Sequence, residues 1–236
     1  MSLSVDQLKL EEARIRTVYA SRDELSSLFS CFNPGNLFIT QTRERSLLQL
    51  LKRYGFMSLE QKKILEIGCG RGYWLREFVR FGAQPENIAG VDLIPEYVTE
   101  ARRLSSPGIR IECGHAAALD FSDNSFDIVF QFTVFTSILS FDLKRKVAAE
   151  MVRVVKQTGL IVWYDFHVNN PRNRDVRGVK KQEIIQLFPD CRVKLERVTL
   201  APPIARIVAP YSWMICEVLQ TMPWLRTHYL GAITKL

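Results

Sequence analysis

The sequence predicts an α/β protein built on a doubly wound, seven-stranded sheet. Three observations carry that expectation. From Lys63 onward, short β-like runs alternate with helical runs, and such alternation folds as parallel strands joined by right-handed helical crossovers. Glycines at 68, 70 and 72 follow the first of those strands, within KKILEIGCGRGYWLREF at 62–78. An acid, Asp92, ends the second strand, 24 residues after Gly68.

Taken in order, the chain opens with two helical segments, about Ser4 to Phe29 and Leu37 to Tyr54, separated by the breaker Asn33-Pro34-Gly35. Residues 1–60 are therefore expected to form a helical cap and residues 61–236 the sheet domain. ILEIG reads as a strand and Tyr73 to Phe81 as a helix; NIAGVD and Pro95 to Leu104 repeat the pattern. IRIECG and FDIVFQF are strands three and four, the latter following the turn signal Ser122-Asp123-Asn124-Ser125. A helix near Asp142 to Lys156 shows Leu143, Val147, Met151, Val154 and Val155 on one face. GLIVWYDF is the fifth strand, Val179 to Phe188 a helix, CRVKLERVTL a half-exposed sixth strand, and HYLGAITK the seventh. Between the last two lie residues 201–226, where the plain fold has only a hairpin.

Composition narrows the function. The chain has 236 residues, 47% hydrophobic and 24% charged, as a single soluble domain with appendages should. Five scattered cysteines with no CxxC pair argue against disulfides and zinc and point to a reducing cytoplasm. The net charge of +7 is spread along the chain rather than gathered in a stripe, which disfavours nucleic acid as a partner. Only ten uncharged residues separate Arg206 from Glu217, about half of a membrane span. Crossing a bilayer is excluded for that segment, whereas lying on one is not.

The glycine turn alone is a weak signal, and it points to a ligand class only when joined to Glu66, Asp92 and the strand order. Without side chains at 68, 70 and 72, a ligand can touch the backbone where a helix N-terminus offers free N–H groups. Asp92 stands where such sheets place a carboxylate for both ribose hydroxyls. The dinucleotide fingerprint would require glycine at 73, and the residue there is Tyr73. The string Glu66-x-Gly68-x-Gly70-x-Gly72 instead resembles motif I of the class I S-adenosylmethionine-dependent methyltransferases. That resemblance covers roughly 63–236 and implies the strand order 3-2-1-4-5-7-6, with the seventh strand antiparallel. It implies S-adenosylmethionine as cofactor. The turn, with Cys69 between its glycines, would wrap the methionine portion, and Glu66 is compatible with the ligand's ammonium and sulfonium. Leu93 beside Asp92, the loop residues His115 and Ala116, and Gln131 and Phe132 after strand four complete the implied cofactor set. Many members carry an acid at the position of His115, so backbone groups are expected to take the adenine hydrogen bond.

The acceptor is read from the remaining carboxyl-edge loops. Gln131-Phe132-Thr133-Val134-Phe135 lacks the Asn/Asp-Pro-Pro-aromatic pattern of enzymes that methylate exocyclic amines, which disfavours those acceptors. WYDFHVNNPRNRDVRG, at the end of strand five, brings Tyr164, Asn169, Asn170 and Arg172 to the expected substrate side. His167 is the first candidate base, with Asp165 orienting it or acting itself, and His228 is the second. Each of these residues also has a bland reading as a loop or capping group. Residues 201–226, with Tyr211 and Trp213, are expected to form an aromatic lid, the alternatives being a homodimer surface or a peripheral membrane contact. Tyr19, Phe38 and Gln41 of the opening helices are candidates to touch the cofactor. The favoured function is O-methylation of a small-molecule hydroxyl, on a sugar or glycosylated metabolite such as a cell-surface glycan precursor. Carbon methylation of a quinone or polyketide, RNA methylation and cofactor binding without turnover are the alternatives.

Overall fold

The computed structural model describes residues 5–20, 29–170 and 173–236. Seven strands form one sheet: β1 (Ile64–Ile67), β2 (Ile88–Asp92), β3 (Arg110–Cys113), β4 (Phe126–Phe132), β5 (Val155–Phe166), β6 (Cys191–Leu200) and β7 (Arg226–Lys235). Their order is β3-β2-β1-β4-β5-β7-β6. The first five strands pair in parallel and β7 runs antiparallel to both β5 and β6, as the resemblance implied.

The central strands are apolar on both faces because helices cover both. All residues of β1 and β2 are buried, the pattern of a parallel sheet lined on each side. One face meets α2 (Pro34–Arg53), α3 (Tyr73–Arg80) and α4 (Pro95–Leu104) in a core that includes Leu47, Phe78, Phe130 and Val162. The other face meets α5 (Phe141–Val154) and α6 (Lys181–Leu187) through Val129, Met151, Trp163 and Ile184.

Local signals explain most boundaries. The Asn33 side chain accepts from the N–H groups of Gly35 and Asn36 and so starts α2, with Pro34 in the first turn. Ser140 caps α5 in the same way. The expected opening helix is present as α1 (Val5–Ala20), and its expected extension to Phe29 falls largely outside the described residues. Strand β5 begins at Val155, earlier than the apolar run GLIVWYDF, because α5 hands over to it directly.

Between β6 and β7 stand α7 (Pro202–Val208) and α8 (Trp213–Thr221). They pack against α2 around a third core of Phe38, Leu200, Ala205, Ala209 and Cys216. Gly35 permits this approach, since a Cβ there would lie 2.5 Å from the Arg206 Cα. Trp213 meets Phe38 edge-on at 5.7 Å between ring centres.

Candidate cofactor and acceptor site

At the carboxyl edge of the sheet, β1 ends in a turn that no side-chain-bearing sequence would adopt comfortably. Gly68, Gly70 and Gly72 have φ of 67°, 51° and 74°, all in the left-handed region where a Cβ costs roughly 1–2 kcal/mol per residue. Space adds a second constraint at Gly68, where a Cβ would stand 2.4 Å from Val134 Cγ2. Gly70 differs: a Cβ there would meet nothing within 4 Å, because the residue borders a cavity. Gly72 begins α3.

The turn is tied to β2 through its acid. Gly70 N–H donates to Asp92 Oδ2 at 2.7 Å and Ile94 N–H to Oδ1 at 2.9 Å. Each carboxylate oxygen thereby receives one donor and keeps a lone pair for a ligand. Burial raises the Asp92 pKa, while those backbone donors oppose the rise.

The cavity holds about 290 Å³, the lower end of the range for small-molecule sites. Of the eleven residues expected around a cofactor, Gly68, Gly70, Asp92, Leu93, His115, Ala116 and Phe132 line it. Four stand behind the wall. Gly72 caps α3, Cys69 is buried, and the side-chain oxygen of Gln131 accepts from Val134 N–H at 3.0 Å. Glu66 is buried beneath the turn with Oε2 lacking a partner. Burial, and then the neighbouring Asp92, push its carboxyl well above the ordinary range. An orphaned acid under bare backbone fits a ligand whose near end is cationic.

His115 is held through both ring nitrogens. Its Nδ1 accepts from Ala117 N–H at 2.9 Å and its Nε2 lies 3.0 Å from Glu12; burial lowers its pKa. With both nitrogens engaged, the ring presents its edge and neighbouring backbone to the cavity.

The far wall comes from α1 and the loop after β4. Glu11 accepts from Leu139 N–H, Arg14 donates to the Ser137 carbonyl, and Tyr19 shares a 2.6 Å hydrogen bond with Ser137 Oγ. Ile15 and Tyr19 face the cavity. Phe38, by contrast, is buried under α7 and α8, and Gln41 is exposed.

The acceptor-side residues divide between the two faces of the sheet. Asp165 is 1% exposed and bonds Thr136 through its hydroxyl at 2.6 Å and its N–H at 3.3 Å. Burial raises its pKa to about 7. It braces the loop after β4. His167 does not meet it: the His167 Nε2 lies 3.1 Å from the Arg226 carbonyl and the ring stacks on Tyr229. The expected histidine–carboxylate pair is therefore not formed.

His228 lies on the opposite face, stacked on Tyr164 at 4.9 Å and 17° between planes. Burial drives its pKa down to about 3, so the ring is neutral. The Tyr164 hydroxyl meets Thr199 Oγ1 at 2.9 Å. Asn169 Oδ1 accepts from Gly178 N–H and the Asn170 carbonyl from Asn173 N–H, which shapes the loop. Arg172 lies outside the described residues. Tyr211 is 89% exposed and, like Trp213, does not line the cavity; none of residues 201–226 does. The insertion covers α2 rather than this opening.

Two features escaped the sequence reading. Arg43 projects its guanidinium among Trp74, Tyr164 and Phe132, at 4.7, 5.3 and 6.0 Å from their ring centres. Its Nε is buried without a partner, and its charge bears on Glu66, Tyr164 and His228. A signal existed: Arg43 interrupts the apolar stripe Ile39, Leu47, Leu50 at helical spacing. The other feature is backbone strain. Thr133 and Thr199, both β-branched, adopt φ of 61° and 65°, which costs of order 1–3 kcal/mol each and clusters at functional sites. Thr133 N–H bonds the Tyr164 carbonyl and Thr199 bonds its hydroxyl. No sequence rule predicts threonine in that conformation.

Comparison with known proteins fits this geometry. Residues 64–159 match the family described as methyltransferase domain. The chain is 30% identical over 115 residues to a phthiotriol/phenolphthiotriol dimycocerosates methyltransferase of Mycobacterium leprae, covering 48% of this chain and 41% of that one. It is 31% identical over 131 residues to a sterol 24-C-methyltransferase of Yarrowia lipolytica, covering 50% and 33%. The chain spans about half or less of the length of the curated relatives it matches. Among solved structures, geranyl diphosphate C-methyltransferase of Streptomyces coelicolor aligns with a TM-score of 0.64 at 13% identity, covering 94% of this chain and 97% of that one. PH0226 of Pyrococcus horikoshii aligns at 0.63 and 17%, covering 93% and 99%. The fold is shared with both. Among the described residues no cluster of metal-ligating side chains occurs, and no helix is long and apolar enough to cross a membrane.

Proposed function

We propose that this chain, whose residues 64–159 match the methyltransferase-domain family, transfers the methyl group of S-adenosylmethionine to a small, partly apolar acceptor. The observation that carries the reading is the left-handed glycine turn whose Gly70 and Asp92 face one cavity. Asp92 holds the ribose through its free lone pairs, and the backbone at Gly68 and Gly70 lies against the amino-acid portion. The ligand's positive charge would draw the buried Glu66 carboxyl back toward its ionised form. Arg43, with a donor unspent, receives the methionine carboxylate.

Bound S-adenosylmethionine supplies an electrophilic methyl on a sulfonium, and its loss to an acceptor leaves the neutral thioether S-adenosylhomocysteine. The chain's own residues orient and dry the site: Phe132, Val134, Ile138 and Leu143 surround the cavity with apolar surface. The acceptor we favour is a hydroxyl on a glycosylated natural product or cell-surface glycan precursor with an apolar portion. The apolar lining, and the lipid or isoprenoid acceptors named in the relatives and in the Streptomyces structure, support an amphiphile. His228 is the proton acceptor in this reading; it stands behind the cavity wall, stacked on Tyr164, whose ring meets the wall residue Phe132 at 5.4 Å. His167 and Asp165 are positioning groups that shape the loops on the far face. The free cysteines agree with a reducing, cytoplasmic setting.

One observation favours a second reading, carbon methylation. A ring with a pKa of about 3 is a poor base, and an electron-rich carbon requires little deprotonation. Methyl-labelled S-adenosylmethionine, offered with glycolipids, prenylated quinones and sterols, separates the readings. Label on oxygen, lost in His228→Ala, supports O-methylation. Label on carbon, unchanged in that variant, supports the second reading. Label entering only RNA overturns both.

A further inference from the structure

The chain carries an apolar surface that its fold leaves uncovered. Phe32, Tyr211, Met214 and Trp224 are 94, 89, 75 and 74% exposed. On α8, Met214, Ile215 and Val218 all point outward while Cys216 points into the core. Phe29 joins the surface from the segment before α2, its ring 5.7 Å from the Arg206 guanidinium carbon. Only two charges, Arg206 and Glu217, occur across residues 201–225. Large apolar side chains left exposed along one short segment in this way mark interaction surfaces.

Its charge surroundings indicate what covers it. Residues 29–53 and 200–226, which build this side of the molecule, contain six cations and two acids. Arg45 pairs with Glu217, Arg53 pairs with Glu196 of β6, and Arg43 packs among Trp74, Tyr164 and Phe132, which leaves Lys52, Arg206 and Arg226 as the cations of this side. The whole chain is +7. A second copy would bring the same positive field to the contact, whereas an anionic bilayer is attracted by it. An exposed helix face of Met, Ile and Val, rimmed by Trp and Tyr with arginines behind, is the composition of an interfacial rather than a spanning segment.

We propose that the α7–α8 insertion is a membrane-docking surface that seats on the headgroup and upper acyl region of an anionic phospholipid bilayer. The insertion begins where β6 ends at Leu200, at the carboxyl edge of the sheet. Docking there sets the cavity's edge of the molecule toward the lipid. The surface stands on its own geometry and does not require the methyl-transfer reading.

The test is co-sedimentation of the full chain with vesicles of phosphatidylglycerol and phosphatidylcholine, against phosphatidylcholine alone. Partition onto the anionic vesicles is expected, weakening with added salt and accompanied by a blue shift in tryptophan emission from Trp224. Met214→Glu with Trp224→Ser should lower partition at least tenfold at an unchanged melting temperature. Absence of partition onto anionic vesicles at low salt overturns the proposal, as does equal partition by the variant. A wild-type dimer that the two substitutions dissociate, without vesicle binding, assigns the surface to a second copy and equally overturns it.

Discussion

Replacing Gly70 by alanine separates the fold from the ligand site. The residue sits at φ 51°, so a side chain costs roughly 1–2 kcal/mol in backbone strain. No steric cost adds to this, because a Cβ would meet no atom within 4 Å. For a chain of this length each kcal/mol moves the melting temperature by about 2–4 °C. Gly70→Ala should therefore melt about 2–8 °C below the parent. The ligand effect is larger. At about a hundred times its Kd, S-adenosylhomocysteine stabilises the wild type by about 2.7 kcal/mol, and a hundredfold weaker site by only about 0.4 kcal/mol. Differential scanning fluorimetry should show a ligand-induced rise of about 5–11 °C in the parent and less than about 2 °C in Gly70→Ala. Gly68→Ala is the counterpart. Its Cβ would press on Val134 at 2.4 Å, adding about 1–3 kcal/mol of overpacking, so it should melt lowest without ligand. A full-sized ligand shift in Gly70→Ala, or equal melting of the two variants, would refute the assignment of the open space at Gly70 to the cofactor.

Arg43→Met should weaken S-adenosylhomocysteine at least tenfold and leave adenosine binding unchanged, since adenosine lacks the carboxylate that Arg43 is proposed to receive; equal losses for both ligands in calorimetry would exclude that role. Two buried groups should give opposite slopes of stability against pH. Asp165, raised from 3.8 to about 7, is protonated in the folded state, so its stabilisation is lost as pH rises through that window. His228, lowered from 6.5 to about 3, loses stabilisation as pH falls through its own window. Each is worth at most about 5 kcal/mol, and they nearly cancel between pH 4 and 6.5. Urea melts across that range should be nearly flat for the parent, rise with pH in Asp165→Asn and fall with pH in His228→Asn. Identical profiles for all three would show that neither group titrates as its burial demands.

The sheet was legible because two periodicities recorded it. Buried strands such as ILEI and IAGVD could be read from apolar runs, and their order followed from the motif built on Glu66, Gly68, Gly70 and Gly72. Seven of the eleven residues expected around the cofactor line one cavity, because glycine turns and strand-ending acids are local devices with local signatures. The acceptor side was less legible. His167 lies just past the end of β5, two residues after Asp165, yet their partners, Arg226 and Thr136, are distant in sequence. Nothing local indicates that Asp165 is held by the loop after β4. Arg43 was marked only by its place in the apolar stripe of α2, and the left-handed Thr133 and Thr199 break the rule by which such positions are found. The insertion's composition announced an unusual surface, but its seat on α2 depends on Gly35 meeting Arg206 across the fold.

The most direct measurement is isothermal titration of the chain with S-adenosylhomocysteine, repeated on Asp92→Ala. Wild type should bind one equivalent with saturable heat. The alanine variant should bind at least tenfold more weakly at a comparable melting temperature. Wild type giving no binding heat at any temperature, or both proteins binding with equal affinity, would contradict the claim that the glycine turn and Asp92 together form the nucleoside site.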